Sequence, residues 1–197
     1  MLLFNKYKFI CFEGVDRTGK TTLAERLRDD LDAIYVGTYP EGYDKDTPNA
    51  ITDIYTRFQM FWALNLEKSQ NVKKAIKNNH IISDRYFLST VCNHNVLARG
   101  SYSTDIHFEE DNRISGILKP DITYLIVAND DTLEQRFKDR PSEHKYEGDV
   151  EQMIRVQKEF LNVSKQYDPV KIINTSNESV EESYTTIKDD LKKRFRI

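Results

Sequence analysis

Residues Gly14-Val15-Asp16-Arg17-Thr18-Gly19-Lys20-Thr21 form the pattern G-x-x-x-x-G-K-[ST], and with their flanks they constrain the fold more than any other stretch. Lys8 to Glu13 before them reads as an apolar strand. The segment after Gly19 carries Leu23, Leu27 and Leu31 at i, i+4 and i+8, the spacing of an amphipathic helix. A strand that passes through such a loop into a helix N-terminus turns successive backbone N–H groups inward, at the positive end of the helix dipole, around a polyphosphate. In that cradle Lys20 would reach the β- and γ-phosphates of a nucleotide and the Thr21 hydroxyl would ligate Mg²⁺. Glycine is scarce, at 7 in 197 residues, so the two in this loop are informative.

Composition excludes several classes. The charge balance, 29 Lys+Arg against 32 Asp+Glu for a formal −3, lacks the basic excess of a nucleic-acid binder, so an anionic ligand needs a local arrangement of charge. No run approaches the roughly 18 apolar residues of a membrane helix, and Asn5, Lys6 and Lys8 interrupt the N-terminus as a signal peptide. These features predict a soluble cytoplasmic protein with no membrane or nucleic-acid partner. Cys11 and Cys92 are too few for a disulfide framework and have no metal-ligand spacing; Cys11, between Ile10 and Phe12, reads as a buried inert thiol. His94, His107 and His144 likewise lack metal-ligand spacing and read as core or solvated histidines.

Five β-type segments, at 8–13, 33–38, 80–83, 121–128 and 170–174, alternate with helical patterns. That alternation predicts an α/β fold, a doubly wound five-stranded parallel sheet with helices on both faces, in a single domain over 1–197. Pro40, Gly42 and Pro48 mark a turn-rich stretch, after which a helical region runs from about 49 to 78. Further helices are expected near 87–98, 106–118, 130–140, 149–167 and from about Val180, with a charged loop at 141–148.

Two features narrow the chemistry. Arg17, inside the loop, can place a guanidinium beside a transferring phosphoryl group, where a solvated arginine is the plainer alternative. Phosphoryl transfer with Mg²⁺ also calls for a carboxylate at the end of a neighbouring strand. Asp84 and Asp130 compete for that place, and Asp84 is favoured because Arg85 follows it and would pair with a second phosphate.

The combination GVDRTGKTT, SDRYFLS, KPD near 120 and HKYEG before a long helix resembles the thymidylate kinase family, within the P-loop nucleoside monophosphate kinases. The resemblance implies ATP and Mg²⁺ as cofactors, small-molecule nucleotides as the only partners besides a second copy of the chain in a homodimer, and a place in nucleotide biosynthesis. It implies that Gly14, Asp16, Arg17, Thr18, Gly19, Lys20, Thr21 and Thr22 hold ATP, with Arg136 stacking on adenine. Arg17, Lys20 and Asp84 would be catalytic, and Thr21 and Asp84 would hold the metal. Asp16, Tyr39, Trp62, Arg85, Ser89 and Tyr146 would line the acceptor, Asp16 meeting the sugar 3′-hydroxyl and Arg85 the acceptor phosphate. A lid loop at about 139–148 would exclude water, with Arg140 and Lys145 as further cations.

The chain departs from the family pattern on the acceptor side. Tyr39-Pro40-Glu41-Gly42 stands where relatives show Phe-Pro-x-Arg, Leu66 stands for the arginine that reads the thymine edge, and Asn93 or His94 for a base-stacking Phe. Trp62 either stacks on a pyrimidine or belongs to the core stripe of Phe58 and Phe61. Three readings follow: an ATP- and Mg²⁺-dependent kinase that converts dTMP to dTDP, a kinase for another nucleotide or nucleoside, or a nucleotide-binding module without turnover.

Overall fold

A computed structural model of the protein describes residues 6–40, 42–44, 46–101, 116–140, 149–167 and 169–197. One five-stranded parallel sheet organises them, formed by β1 (Phe9–Glu13), β2 (Ile34–Val36), β3 (Ile81–Asp84), β4 (Ile122–Val127) and β5 (Val170–Asn174) in the order β2-β3-β1-β4-β5. The helices are α1 (Lys20–Leu31), α2 (Asp46–Ala50), α3 (Ile54–Ala75), α4 (Phe87–Ser101), α5 (Asp130–Asp139), α6 (Val150–Val163) and α7 (Val180–Phe195).

The period-2 alternation of the central strands divides the core. Phe9, Cys11, Ile81, Leu125 and Val127 face one side and pack with Phe58 and Trp62 of α3, Val91 of α4 and Phe160 of α6. Ile10, Phe12, Ile82, Tyr124 and Ile126 face the other and meet Leu23 and Leu27 of α1 with Tyr184, Ile187 and Leu191 of α7. Strands covered on both faces read as continuous apolar runs, as β1 and β4 do. The expected doubly wound α/β fold is therefore present.

Element boundaries differ from expectation where local chemistry intervenes. The helical region expected over 49–78 is two helices, because the Asp53 side chain caps α3 by accepting from Thr56 N at 2.8 Å and so begins a new one. Pro48 does not stop regular structure. It lies in the first turn of α2, where its missing N–H costs nothing. β2 is shorter than 33–38, being an edge strand paired only with β3, and the helix expected over 149–167 ends at Val163, followed by a 3₁₀ turn over Ser164–Gln166. Residues 141–148 of the lid expected at about 139–148, with Lys145 and Tyr146, and residues 106–115 of an expected helix lie outside the described residues.

β1 and β3 are neighbours, with Phe12 opposite Asp84, yet the helices that follow them, α1 and α4, cover opposite faces of the sheet. Such a switch opens a crevice beyond the carboxyl ends of the two strands. Gly14 lies at its floor with φ +137°, and a Cβ there would come within 2.2 Å of the Ile126 carbonyl oxygen on β4. Gly14→Ala should therefore lower the free energy of unfolding by about 3 kcal/mol, from overpacking and backbone strain together. Urea denaturation checks this, and a change under about 0.5 kcal/mol would show that the loop does not rest on β4.

Candidate active site

The loop after β1 is closed by its own and neighbouring groups. Thr18 Oγ1 donates to Val15 O at 2.9 Å, and Thr175 Oγ1, just past β5, donates to Thr18 O at 2.8 Å. Arg17 and Gly19 take left-handed backbone, with φ 67° and 87°. α1 begins at Lys20 with Gly19 as N-cap, no side-chain cap and no acidic residue in its first turn. The first amides of a 12-residue helix are thus left facing the loop without a competing anion, which suits them to phosphate. Thr21 and Thr22 are exposed at its mouth.

Lys20, Thr21 and Asp84 converge. Lys20 Nζ is 3.6 Å from Asp84 Oδ1 and 4.0 Å from Asp16 Oδ1, while Thr21 Oγ1 donates to Asp84 Oδ2 at 2.6 Å. Burial, reinforced by the Arg85 charge, lowers the pKa of Lys20. For Asp84 burial works the other way and is outweighed by Lys20, the Thr21 hydrogen bond and Arg85, so its carboxyl ionises more readily than usual. Asp84 Oδ1 is buried and has no hydrogen-bond partner among the described residues. That oxygen, ion-paired with Lys20 but without a hydrogen bond and beside a threonine hydroxyl, fits a cation that needs few protein ligands. Magnesium is such a cation, since it takes the rest of its shell from water and substrate phosphates.

On the other side of the loop stands Arg85. Its Nη1 donates to Gly14 O at 3.0 Å and Ser89 Oγ at 3.2 Å, and its Nη2 pairs with Asp16. Arg85 is the main cause that holds the half-exposed Asp16 carboxyl at about 2, against burial and with help from Lys20. Ser89 is turned inward, donating to the carboxylate of Glu13, which also accepts from Tyr86 N at 2.9 Å and Ser89 N at 3.2 Å. Burial raises the Glu13 pKa despite these bonds.

Arg17 and Arg136 meet at the base of α5. Arg17's guanidinium lies over the Phe137 ring, 4.6 Å from its centroid. Arg136 donates to Arg17 O at 3.0 Å and to Thr175 O at 2.7 Å, so it ties the loop to the end of β5.

The acceptor-side residues are arranged less as expected. Tyr39 stacks on Tyr43 at 5.9 Å and packs at a tilt on Phe61. Trp62, 5% exposed, stacks on Phe58 at 5.6 Å within the core. Of its two readings, the core stripe is the one that the geometry realises, since Phe58 covers a face that a base would need. Leu66 packs toward Gly116, and it is Asn65 that faces α4, donating to Thr90 Oγ1 at 2.8 Å. Asn93 is spent on its own helix, donating to Ser89 O at 2.7 Å. Gly42 sits in a left-handed turn, φ 74°. His94 is buried between Phe58 and Phe61, its pKa pushed down to about 4 by burial, and its Nε2 has no partner among the described residues. Arg57, one turn before Phe61, lies close enough to contribute to that lowering.

Sequence reasoning missed Glu13, Tyr35, Arg57 and Lys68. Tyr35 OH donates to Asp84 Oδ2 at 3.1 Å, and Lys68 Nζ donates to Arg85 O at 2.9 Å. Strand register and helix docking place all four beside the motifs, and no local pattern announces them. Cys11 is buried, as expected, and Cys92 is buried too; neither forms a disulfide.

Comparison with known proteins agrees with this geometry. The family model for thymidylate kinase matches residues 12–187. A "probable thymidylate kinase" of Methanocaldococcus jannaschii is 28% identical over 193 residues, covering 93% of this chain and 95% of the relative. Another of that name, from Methanococcus aeolicus, is 30% identical over 192 residues, covering 91% and 93%. The solved structure of thymidylate kinase from Candida albicans superposes with a TM-score of 0.76 at 18% identity, covering 95% of this chain and 92% of that one, a likeness of fold. No described helix is long and apolar enough to cross a membrane. With a phosphate cradle on one side of the crevice and an arginine–aspartate pair on the other, the chain belongs to the thymidylate kinase family and is a nucleoside monophosphate kinase.

Proposed function

We propose that this kinase transfers the γ-phosphoryl group of ATP to the phosphate of a deoxynucleoside monophosphate, with dTMP as the acceptor and dTDP and ADP as products. The carrying observation is that Lys20, Thr21 and Asp84 on one side of the loop and Arg85 with Asp16 on the other bracket a single crevice. One set suits the phosphates of the donor and the other the acceptor's phosphate and sugar.

The chain then acts by position and charge, and no protein nucleophile is needed. The α1 amides and Lys20 hold the β- and γ-phosphates. Arg85 grips the acceptor phosphate, one oxygen of which attacks the γ-phosphorus in line as the bond to the ADP oxygen breaks. Arg17 swings from Phe137 to the equatorial oxygens as negative charge gathers there. Asp16, kept ionised by Arg85, accepts a hydrogen bond from the sugar 3′-hydroxyl. Thr21 and Asp84 would hold Mg²⁺, whose contribution is to neutralise charge between the β- and γ-phosphates. Arg136, through its tie to Arg17, fixes the loop on which the donor rests.

A different acceptor base is the second reading, favoured by the position of Leu66. Its side chain is turned to Gly116, while Tyr39 packs on Phe61, and Phe61 and Arg57 adjoin the buried His94. Discrimination among bases rests on paired polar groups, so a change in those groups changes the preferred base before it changes the transfer chemistry.

The purified chain with ATP, Mg²⁺ and a panel of nucleoside monophosphates and nucleosides should form ADP fastest with dTMP. Lys20→Ala should lower kcat by about 10³ or more and Arg17→Ala by about 10²–10³. ADP formation that no acceptor accelerates would overturn the kinase assignment, and a faster purine or nucleoside acceptor would replace dTMP by the second reading.

The Asp16–Arg85 pair has a pH signature. Because the folded carboxyl titrates at about 2, below its unfolded value, the stabilisation from the pair is complete above the ordinary aspartate range and is lost as pH falls through about 2. Arg85→Ala should return Asp16 to the ordinary range in a carboxyl ¹³C NMR titration. A midpoint still at about 2 would assign the effect to Lys20 and Arg17 instead.

A further inference from the structure

Arg85 is one of the few residues other than glycine with positive φ, at 64°. A side chain other than glycine's is strained there, so the surrounding structure must hold the backbone in place. On the N-terminal side the constraint is the sheet, since Arg85 N donates to Phe12 O at 2.8 Å. On the C-terminal side the carbonyl leaves the ladder, and α4 begins only at Phe87. Two buried groups receive it: Lys68 Nζ at 2.9 Å and Ser83 Oγ at 2.8 Å, with Lys68 Nζ also 3.4 Å from Ser83 Oγ.

Lys68, on α3, is 8% exposed, and its Nζ lies over the Tyr86 ring, 5.9 Å from the ring centroid. Buried lysines are rare unless paired. The groups that face this one are Cys11 and Glu13 from β1 and Asp84 and Arg85 from β3 and the turn after it. Glu13 and Asp84 favour the ammonium, Arg85 opposes it, and burial brings its pKa down to about 8, so the cation persists at neutral pH. An ammonium here answers to a carbonyl that has left the β-sheet ladder.

We infer that Lys68 is a positioning residue: by holding the Arg85 carbonyl it fixes the left-handed backbone that aims the Arg85 guanidinium at Gly14 O and Asp16, and so shapes the acceptor-phosphate site. The aiming of Arg85 stands on geometry alone, while its consequence for catalysis rests on the reading of Arg85 as the acceptor-phosphate ligand.

Lys68→Met, which keeps the apolar stem and removes the donor, tests it on the full chain with two readouts. Without ligand, the Asp16 midpoint in a carboxyl ¹³C titration should rise from about 2 toward the ordinary aspartate range, because Arg85 no longer faces it squarely. In steady state with ATP and Mg²⁺, KM for dTMP should rise about tenfold while KM for ATP stays within about twofold. Lys68→Arg, which keeps a cationic donor, should restore most of both. A folded Lys68→Met protein with Asp16 unmoved would overturn the inference and leave Lys68 a core residue. A shifted Asp16 with KM for dTMP unchanged, and equally unchanged in Arg85→Ala, would uphold the positioning and overturn the role given to Arg85. Should Lys68→Met fail to fold, Ser83→Ala removes the second tether without touching a charge: a smaller rise in the Asp16 midpoint supports the tether, and no rise overturns it.

Discussion

At the carboxyl ends of β1 and β3, Glu13, Asp16 and Asp84 lie against Lys20, Lys68 and Arg85, and the site's geometry follows from their need for one another. All but Asp16 are largely withdrawn from water. An isolated charge in that setting is untenable, because desolvation costs more than any single weak contact returns. Most of the groups are therefore held by hydrogen bonds as well as by opposite charge: Glu13 by the start of α4, Asp84 by Thr21 and Tyr35, Arg85 by Gly14, Ser89 and Asp16. Removing one partner leaves a buried charge uncompensated, which makes the cluster rigid as a unit. The formal −3 of the whole chain conceals this local balance of three acids and three bases.

The sheet brings these groups together, and the part of the site that depends on it alone was readable from residue order. The apolar run before Gly14 could only be a buried strand, the leucine spacing after it could only be a helix face, and the loop between them is short enough for its sequence to dictate its turn. Asp84 and Arg85 were also legible, since a strand that ends in Asp-Arg beside a phosphate loop has little else to satisfy. What was hidden depends on register. Tyr35 reaches Asp84 because β2 pairs with β3, and Lys68 reaches Arg85 because α3 docks on that face of the sheet. The break between α2 and α3 was hidden for a different reason: the apolar period continues across it, and only the Asp53 cap shows where one helix stops and another starts.

The acceptor side shows the same limit more sharply. A helix turns by about 100° per residue, so a shift of one position decides whether Asn65 or Leu66 looks toward the crevice. Packing settles it: Leu66 meets Gly116 and Asn65 meets Thr90. Trp62 follows from the same rotation, since the face that carries Phe58 and Trp62 is the one that the sheet covers. Phe58 and Phe61 pack on the His94 ring, and Arg57 lies close enough to act on it. His94 Nδ1 donates to Thr90 O at 2.7 Å, so in the neutral ring that its low pKa favours, Nε2 is a buried acceptor without a partner among the described residues.

Strain is distributed in the same economical way. Arg17 and Arg85 both take left-handed backbone, one in the loop after β1 and one after β3, and both have their carbonyls tied from outside their own segment. Arg136 holds Arg17 O from α5, and Lys68 holds Arg85 O from α3. A left-handed residue reverses the chain within one step, which lets a guanidinium project back across the crevice that its own backbone has just left. Glycine would take that backbone without strain but would bring no guanidinium. The chain instead accepts the strain and anchors each carbonyl with a distant cation, so two helices that contribute nothing to the loop sequence determine where its arginines point.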